Sequence, residues 1–148
     1  MGTRSPRRFG KNDKIKGGVE ILTVKPETKF GDEIRKNIKA FWLPFTITAK
    51  EGVPDLIGIK DGVTILLELK CIKQNSINIT PPQIATNFNI FKYGKNNYYI
   101  VRDTRSKVIK LYNGNKGREL KEQGFKCPSI MTLDYPYRWF DLEHELFI

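Results

Sequence analysis

The sequence predicts an α/β protein in which a mixed β-sheet is flanked by helices. Apolar residues at helical spacing follow Pro26, and an Asp-Gly turn then joins two apolar, strand-like runs. A second helical pattern separates this hairpin from two further strand-like segments. This order of helix, strands, helix and strands is typical of an α/β sandwich.

The first helix begins at Pro26, because proline is favoured in the first helical turn. Its apolar face is defined by residues that recur at intervals of three and four: Phe30, Ile34, Ile38 and Phe41. Pro44 marks the end of this helix or the loop beyond it. Short strands are predicted on either side, at residues 19–24 and 45–50.

The second half of the chain continues with a hairpin at residues 55–70 and a helix that Thr80 caps. The predicted apolar face of this helix consists of Ile84, Phe88 and Phe91, and Gly94 ends it. The segments NNYYIVRD and KVIKLYNG read as strands, residues 118–123 read as a short helix, and an aromatic-rich tail follows.

Composition indicates one domain that binds a polyanion. The chain has 26 Lys and Arg against 16 Asp and Glu among 148 residues, a formal charge of +10, which favours nucleic acid over an acidic membrane. Residues 1–29 hold eight basic and three acidic residues, a net charge of +5. We expect a flexible basic arm at residues 1–18, before a single domain at residues 19–148. The alternative is that this charge serves only solubility. The candidate DNA contacts of the arm are Arg4, Arg7, Arg8, Lys11, Lys14 and Lys16.

Several classes of protein are disfavoured. No apolar run approaches the roughly 18 residues of a membrane span, and no apolar segment follows the basic N-terminus as in a secretory signal. Two cysteines are too few for a disulfide framework, so we expect free thiols and a cytoplasmic location. A single histidine disfavours both a histidine-rich metal site and a Ser-His-Asp triad.

The hairpin brings three ionisable side chains together. Asp61-Gly62 is a strong two-residue turn signal, and this turn would set Asp55 opposite Glu68. Facing residues have Cβ atoms roughly 4.5–5.5 Å apart. Because side chains alternate along a strand, Lys70 points to the same side as Glu68. The opposite side presents an apolar stripe of Val63, Ile65, Leu67 and Leu69.

Two facing carboxylates among apolar neighbours repel each other, and a bound cation would relieve this repulsion. An all-oxygen site suits Mg²⁺, with Mn²⁺ as a substitute, better than zinc. Lys70 could then orient an attacking water or neutralise charge on a phosphate. The alternative is an ion pair at the rim of the sheet with no metal.

The chain resembles the PD-(D/E)XK nuclease superfamily in three consecutive motifs. These are GVPD, which ends at Asp55, then ELK at residues 68–70, and then Gln83 at the head of the next helix. The similarity is greatest to small virus-type replication-repair nucleases and phage Holliday-junction-resolvase-like nucleases, and it covers roughly residues 26–102. It implies a restriction-endonuclease-like core. It also implies that Asp55, Glu68 and the Leu69 carbonyl hold Mg²⁺.

The resemblance further implies that Lys70 positions the attacking water and that Gln83 contacts this water or a phosphate. For Gln83, an ordinary polar role in a first helical turn is equally open. The acid on the first helix is Glu27 or Glu33. Ile34 and Ile38 lie within about 20° of Glu27 around a helix with 100° per residue, so Glu27 is favoured as a ligand to a second metal or to its water.

Taken together, these features predict a Mg²⁺-dependent endodeoxyribonuclease of a bacterial or phage-infected cell. We expect a homodimer that resolves branched DNA such as a Holliday junction, because two symmetric sites suit two symmetric cuts. The alternatives are a nuclease for ordinary duplex DNA and a non-catalytic DNA-binding protein. Lys50, Lys73 and Lys92 are further candidate DNA contacts, and the aromatic residues Tyr98, Tyr99, Trp139 and Phe140 either stack on bases or pack in the core.

Overall fold

The computed structural model describes residues 25–44 and 52–148. The helices are α1 (Pro26–Asn37), α2 (Pro81–Gly94), α3 (Gly117–Gln123) and α4 (Trp139–Phe147). The strands are β1 (Phe41–Pro44), β2 (Leu56–Lys60), β3 (Val63–Ile72), β4 (Asn97–Asp103), β5 (Ile109–Asn113) and β6 (Met131–Leu133). The basic arm and the strands predicted at residues 19–24 and 45–50 lie outside the described residues.

The six strands form one mixed sheet whose spatial order follows the chain from β1 to β6. Neighbouring strands are antiparallel except β3 and β4, which run parallel. Helix α2 makes the connection between these two strands, because parallel neighbours need a crossover. The predicted α/β class with a mixed sheet and flanking helices is therefore confirmed.

The helices cover both faces of the sheet. On one face Phe30 and Ile34 of α1 and Leu142 and Leu146 of α4 pack in a single core with Leu67 and other sheet residues. On the other face Leu120 of α3 and the half-buried Ile84 of α2 pack with Tyr99 and Val101. Side chains that alternate along β3 consequently reach two different cores.

The hairpin has the predicted register. Leu56 pairs with Leu67, and Lys60 pairs with Val63. Asp61 and Gly62 have φ angles of 50° and 80°, which a type I′ turn requires at both central positions. Position 55, one residue before β2, therefore lies beside position 68.

Two details of the predicted helices were wrong. Helix α1 ends at Asn37, and Phe41 and Pro44 belong to β1, where Phe41 faces Ile59 and is 62% exposed. Strand pairing with the outer edge of β2 thus overrides the helical periodicity that extended to Phe41. In α2, Phe88 is 51% exposed while Asn87 is buried, because a polar face of this helix is turned toward the sheet.

Several other elements agree with the sequence pattern, whereas β6 and α4 in the aromatic-rich tail were not predicted. Thr80 caps α2, and its side chain accepts a hydrogen bond from the backbone N–H of Gln83. The strands after Gly94 and the short helix near residues 118–123 are present as β4, β5 and α3. Within residues 25–44 and 52–148, the helices are too short or too polar to cross a membrane.

Candidate active site

Two carboxylates occupy the edge of β3 where β2 stops pairing with it. The ladder between the strands ends at Leu67. Beyond this point the backbone N–H of Leu69 donates to Asp55 Oδ2 at 2.8 Å. The N–H of Cys71 donates to Glu27 Oε2 at 3.1 Å. The side chains of Asp55 and Glu27 therefore replace a strand partner for β3 and are fixed in succession along one edge.

The carbonyl of Leu69 faces the same edge. In a β-strand the N–H and C=O groups of one residue point to one side, and those of the next residue point to the other. Leu67 O accepts from Asp55 N at 2.9 Å, and Leu66 N donates to Asn96 O on the opposite side. Odd-numbered residues of β3 thus direct their carbonyls toward Asp55, and Leu69 adds a third oxygen beside the two carboxylates.

The side chain of Glu68 points out of the sheet toward α2, and only 2% of this residue is exposed. Its Oε2 accepts a hydrogen bond from Gln83 Nε2 at 3.0 Å. Its Oε1 is buried and has no hydrogen-bond partner among the described residues. A buried carboxylate oxygen without a donor is costly in a fold unless the group is protonated or a cation meets it.

The raised pKa values of Glu68 and Asp55 also favour a bound cation at this position. Burial, reinforced by the nearby charge of Asp55, raises the pKa of Glu68 to about 8. Burial also raises the pKa of Asp55, although the hydrogen bond from Leu69 lowers it in part. The two carboxyl groups therefore resist carrying two negative charges together, and a divalent cation between them would remove this obstacle.

Gln83 connects the remaining polar groups of the site. Its Oε1 accepts from Thr80 N at 3.1 Å and from Lys70 Nζ at 3.0 Å. Lys70 Nζ also donates to Asn78 O at 2.7 Å. Because the amide of Gln83 contacts both Lys70 and Glu68, the first turn of α2 fixes the ammonium and the buried carboxylate relative to each other.

Gly52 allows the loop before Asp55 to approach this turn. Its φ angle is 88°, and an added Cβ would lie 2.5 Å from the backbone oxygen of Pro82. Both the left-handed backbone and the close approach require glycine. The glycine of the G-x-P-D motif thus brings the Asp55 loop against α2.

The structure distinguishes the environments of the two candidate helix acids. Glu27 lines a cavity of about 190 Å³ together with Asp55 and Leu69. Glu33 instead forms an ion pair with Arg102 at 2.7 Å in a different pocket. The geometry brings Glu27, Asp55, Glu68, Lys70 and Gln83 together and leaves Glu33 outside.

Sequence reasoning missed two charged residues in the same cavity, Asp32 and Arg35. They form an ion pair with each other on α1. Arg35 lies eight residues after Glu27 and about 80° away from it around the helix, so the periodicity that selected Glu27 did not indicate Arg35.

The donor set fits Mg²⁺ when backbone and solvent oxygens are included. Across residues 25–44 and 52–148, no three His, Cys, Asp or Glu side chains form a group that could hold a metal ion by themselves. Magnesium in nucleic-acid enzymes commonly uses one or two carboxylates and completes its shell with waters and phosphate oxygens. Asp55, Glu68 and the Leu69 carbonyl match that pattern, and the metal assignment stays a prediction.

The proposed DNA contacts are only partly described. Lys73 is exposed just beyond β3, near the candidate site. Lys92 is exposed near the far end of α2, about 13.5 Å along the helix axis from Gln83 at 1.5 Å per residue. Tyr98 and Tyr99 are buried, so they pack in the core and do not stack on bases. The arm residues and Lys50 lie outside the described residues.

Comparison with known proteins found neither a family model nor a curated sequence that matches this chain. The resemblance to PD-(D/E)XK nucleases therefore depends on the motif residues themselves.

Proposed function

We propose that this chain is a metal-dependent endodeoxyribonuclease with a PD-(D/E)XK core. The observation that carries the proposal is the convergence of Asp55, Glu68 and Lys70 at the end of the β2–β3 ladder, with Glu68 Oε1 buried and without a donor among the described residues. A structural ion pair would bring Lys70 onto the carboxylate. Lys70 instead donates to the oxygens of Asn78 and Gln83.

Each residue then has a chemical task. Mg²⁺ held by Asp55, Glu68 and the Leu69 carbonyl would supply positive charge to a phosphodiester and acidify a water. Lys70 has three N–H donors, and two are used by Asn78 and Gln83. Its third N–H can orient a water or stabilise charge that develops on a phosphate oxygen.

The first helix would support this chemistry from the other side of the cavity. Glu27 uses Oε2 to accept from Cys71, which leaves Oε1 for a water or a second cation. Arg35 lines the same cavity and pairs there with Asp32, so its positive charge is offset and gives the cavity no net attraction for a phosphate. Both side chains are held by α1, so the approach of a DNA strand need not reorganise them.

The substrate that we favour is branched DNA, cut by a homodimer. The formal charge of +10 supports binding to a polyanion, and two-fold symmetry suits paired cuts at a junction. Ordinary duplex DNA is the alternative substrate, and DNA binding without catalysis is the alternative function.

Cleavage of labelled DNA tests the proposal. We expect Mg²⁺-dependent cleavage of a junction, a flap or a linear duplex, and we expect Asp55→Asn and Glu68→Gln each to lower the rate at least about 100-fold, as removal of one electrostatic catalytic group does. The matched control is Glu143→Gln, because Glu143 of α4 lies outside the site and pairs with Lys60 of β2 at 3.2 Å. Near-normal cleavage by Asp55→Asn under saturating Mg²⁺ would rule out the metal assignment.

Junction-versus-duplex competition then separates the two substrates. DNA binding without any cleavage, both with and without Mg²⁺, would support the non-catalytic alternative.

A further inference from the structure

A second concave site lies between α2 and α3, separate from the cavity that holds Asp55. This α2–α3 groove has a volume of about 620 Å³. Its α2 wall includes Ile84 and Phe88, and its other wall includes Asn115, Arg118 and Glu119. The ring of Phe88 is 51% exposed, so the groove offers an aromatic surface that the core does not use.

Two polar groups of the groove can accept hydrogen bonds from a ligand. Asn115 Oδ1 is buried and has no donor among the described residues. The Glu119 carboxylate, which also lines the groove, is a second acceptor. The opposite charges of Arg118 and Glu119 offset each other, so the interior does not favour a phosphate. A flat, largely apolar ligand with N–H groups, such as a nucleobase with an exocyclic amino group, matches these features.

The groove lies close to the candidate active site along α2. Phe88 follows Gln83 by five residues, which corresponds to about 7.5 Å along the helix axis and about 140° around it, so the two side chains leave α2 on different faces. Helix α3 is packed tightly here, because an added Cβ on Gly117 would lie 2.5 Å from the Tyr99 hydroxyl. That hydroxyl donates to the Gln83 carbonyl at 3.4 Å.

We propose that the α2–α3 groove binds one unpaired nucleobase of the DNA substrate, stacked on Phe88 with its amino group toward Asn115 and Glu119. A base inside a duplex cannot reach such a pocket. This inference rests on the proposed nuclease function and specifies its substrate as DNA with an unpaired base near the cut. Flaps and the crossover of a junction supply such bases, whereas a fully paired duplex does not.

Fluorescence of 2-aminopurine, an adenine analogue with an exocyclic amino group, tests the groove without cleavage. The analogue is placed at the unpaired position of a flap, and Asp55→Asn serves as the inactive parent. We expect binding to this parent to quench the fluorescence through stacking. Adding Phe88→Ala should abolish the quenching, whereas adding Tyr93→Ala should not. Tyr93 is the matched control because it lies on the same helix, is 83% exposed and does not line the groove.

Cleavage by the otherwise unaltered enzyme provides the second measurement. Loss of one stacked base costs about 5- to 150-fold in affinity, so Phe88→Ala should lower subsaturating cleavage of a flap by that factor and leave a paired duplex unaffected. Equal behaviour of Phe88→Ala and Tyr93→Ala in both assays would overturn the inference. It would also be overturned if Phe88→Ala dissociated a dimer in sedimentation without changing the fluorescence, because the groove would then join two copies of this chain.

Failure of the proposed function is distinguishable from failure of this inference. In that case the unaltered protein would cut no DNA, while the Phe88-dependent quenching could still be observed.

Discussion

Asp55 accepts a hydrogen bond of 2.8 Å from the backbone N–H of Leu69. This bond fixes one carboxylate oxygen with the backbone of the sheet and leaves the other for a ligand. The position of Asp55 therefore depends on geometry that asparagine can reproduce, since an amide oxygen accepts the same N–H. Replacement by asparagine isolates the loss of charge from the loss of structure.

The two acids of α1 should separate activity from stability. We expect Glu27→Gln to lower the single-turnover rate by at least about tenfold, because Glu27 shares the cavity with Asp55. Glu33→Gln should leave the rate within about twofold and lower the free energy of unfolding by about 1 kcal/mol, since it removes the partly exposed pair with Arg102. Single-turnover cleavage and urea unfolding measure the two effects. The reverse order of rates would move the catalytic acid to Glu33.

Lys70 should matter for turnover and not for metal binding. An ammonium group cannot be a metal ligand, so Lys70→Ala should bind Mn²⁺ with an affinity within a few-fold of the unaltered protein while its cleavage rate falls about 100-fold or more. Isothermal titration with Mn²⁺ and single-turnover cleavage at saturating protein give the two values. Lys121→Ala, which alters an exposed lysine on α3 away from the site, is the control. A folded Lys70→Ala variant that lost Mn²⁺ would instead indicate a structural role.

The pKa of Glu68 predicts a pH dependence for the metal-free protein. The folded value of about 8 lies above the ordinary value of 4.5. Between these values the folded state holds a proton that the unfolded state has released. The stabilising contribution is therefore complete below pH 4.5 and is lost as pH rises through 8, at up to about 1.4 kcal/mol per pH unit.

Urea unfolding in EDTA between pH 5 and pH 9 measures this effect, with Glu68→Gln as the comparison because it cannot titrate. We expect the unaltered protein to lose stability relative to Glu68→Gln from pH 5 to about pH 8, and the difference to level off above that pH. Mg²⁺ should reduce the change, since a cation binds the ionised carboxylate. Parallel curves for the two proteins in EDTA would show that Glu68 is already ionised in the fold.

Even a methyl side chain at position 52 should lower both stability and activity. Gly52→Ala would place a methyl group 2.5 Å from the Pro82 oxygen, on a backbone with a φ angle of 88°. Displacement of the loop would move Asp55 away from the Leu69 N–H that holds it, so we expect lower stability, by about 1–3 kcal/mol, together with a lower cleavage rate. Gly62→Ala is the control, because Gly62 has a φ angle of 80° and an added Cβ there would meet no atom within 4 Å. Gly62→Ala should lose stability from backbone strain but keep its cleavage rate.

The sequence was most informative where local chemistry decides the structure. The Asp61-Gly62 turn determines the register of β2 and β3, and this register alone predicted that Asp55 and Glu68 are neighbours. The cap at Thr80 likewise depends on adjacent residues. Such features are encoded within a few positions and require no knowledge of the tertiary fold.

The errors arose where distant segments meet. Phe41 continues the helical pattern of α1, but pairing with Ile59 places it in a strand. Phe88 continues the apolar pattern of α2, but hydrogen bonds from Gln83 to the site turn a different face of the helix toward the sheet. Contacts between residues far apart in the chain override local periodicity in both cases.

The two carboxylates that terminate the edge of β3 also make the site visible to spectroscopy. The amides of Leu69 and Cys71 donate to side chains of Asp55 and Glu27, and neither amide depends on a neighbouring strand for its protection. In an NMR spectrum these two signals should shift when a cation is added and should exchange faster with deuterium when the matching acid is replaced by alanine, which cannot accept the hydrogen bond. Two peaks of the backbone spectrum would thereby report occupancy of the site before any DNA is present.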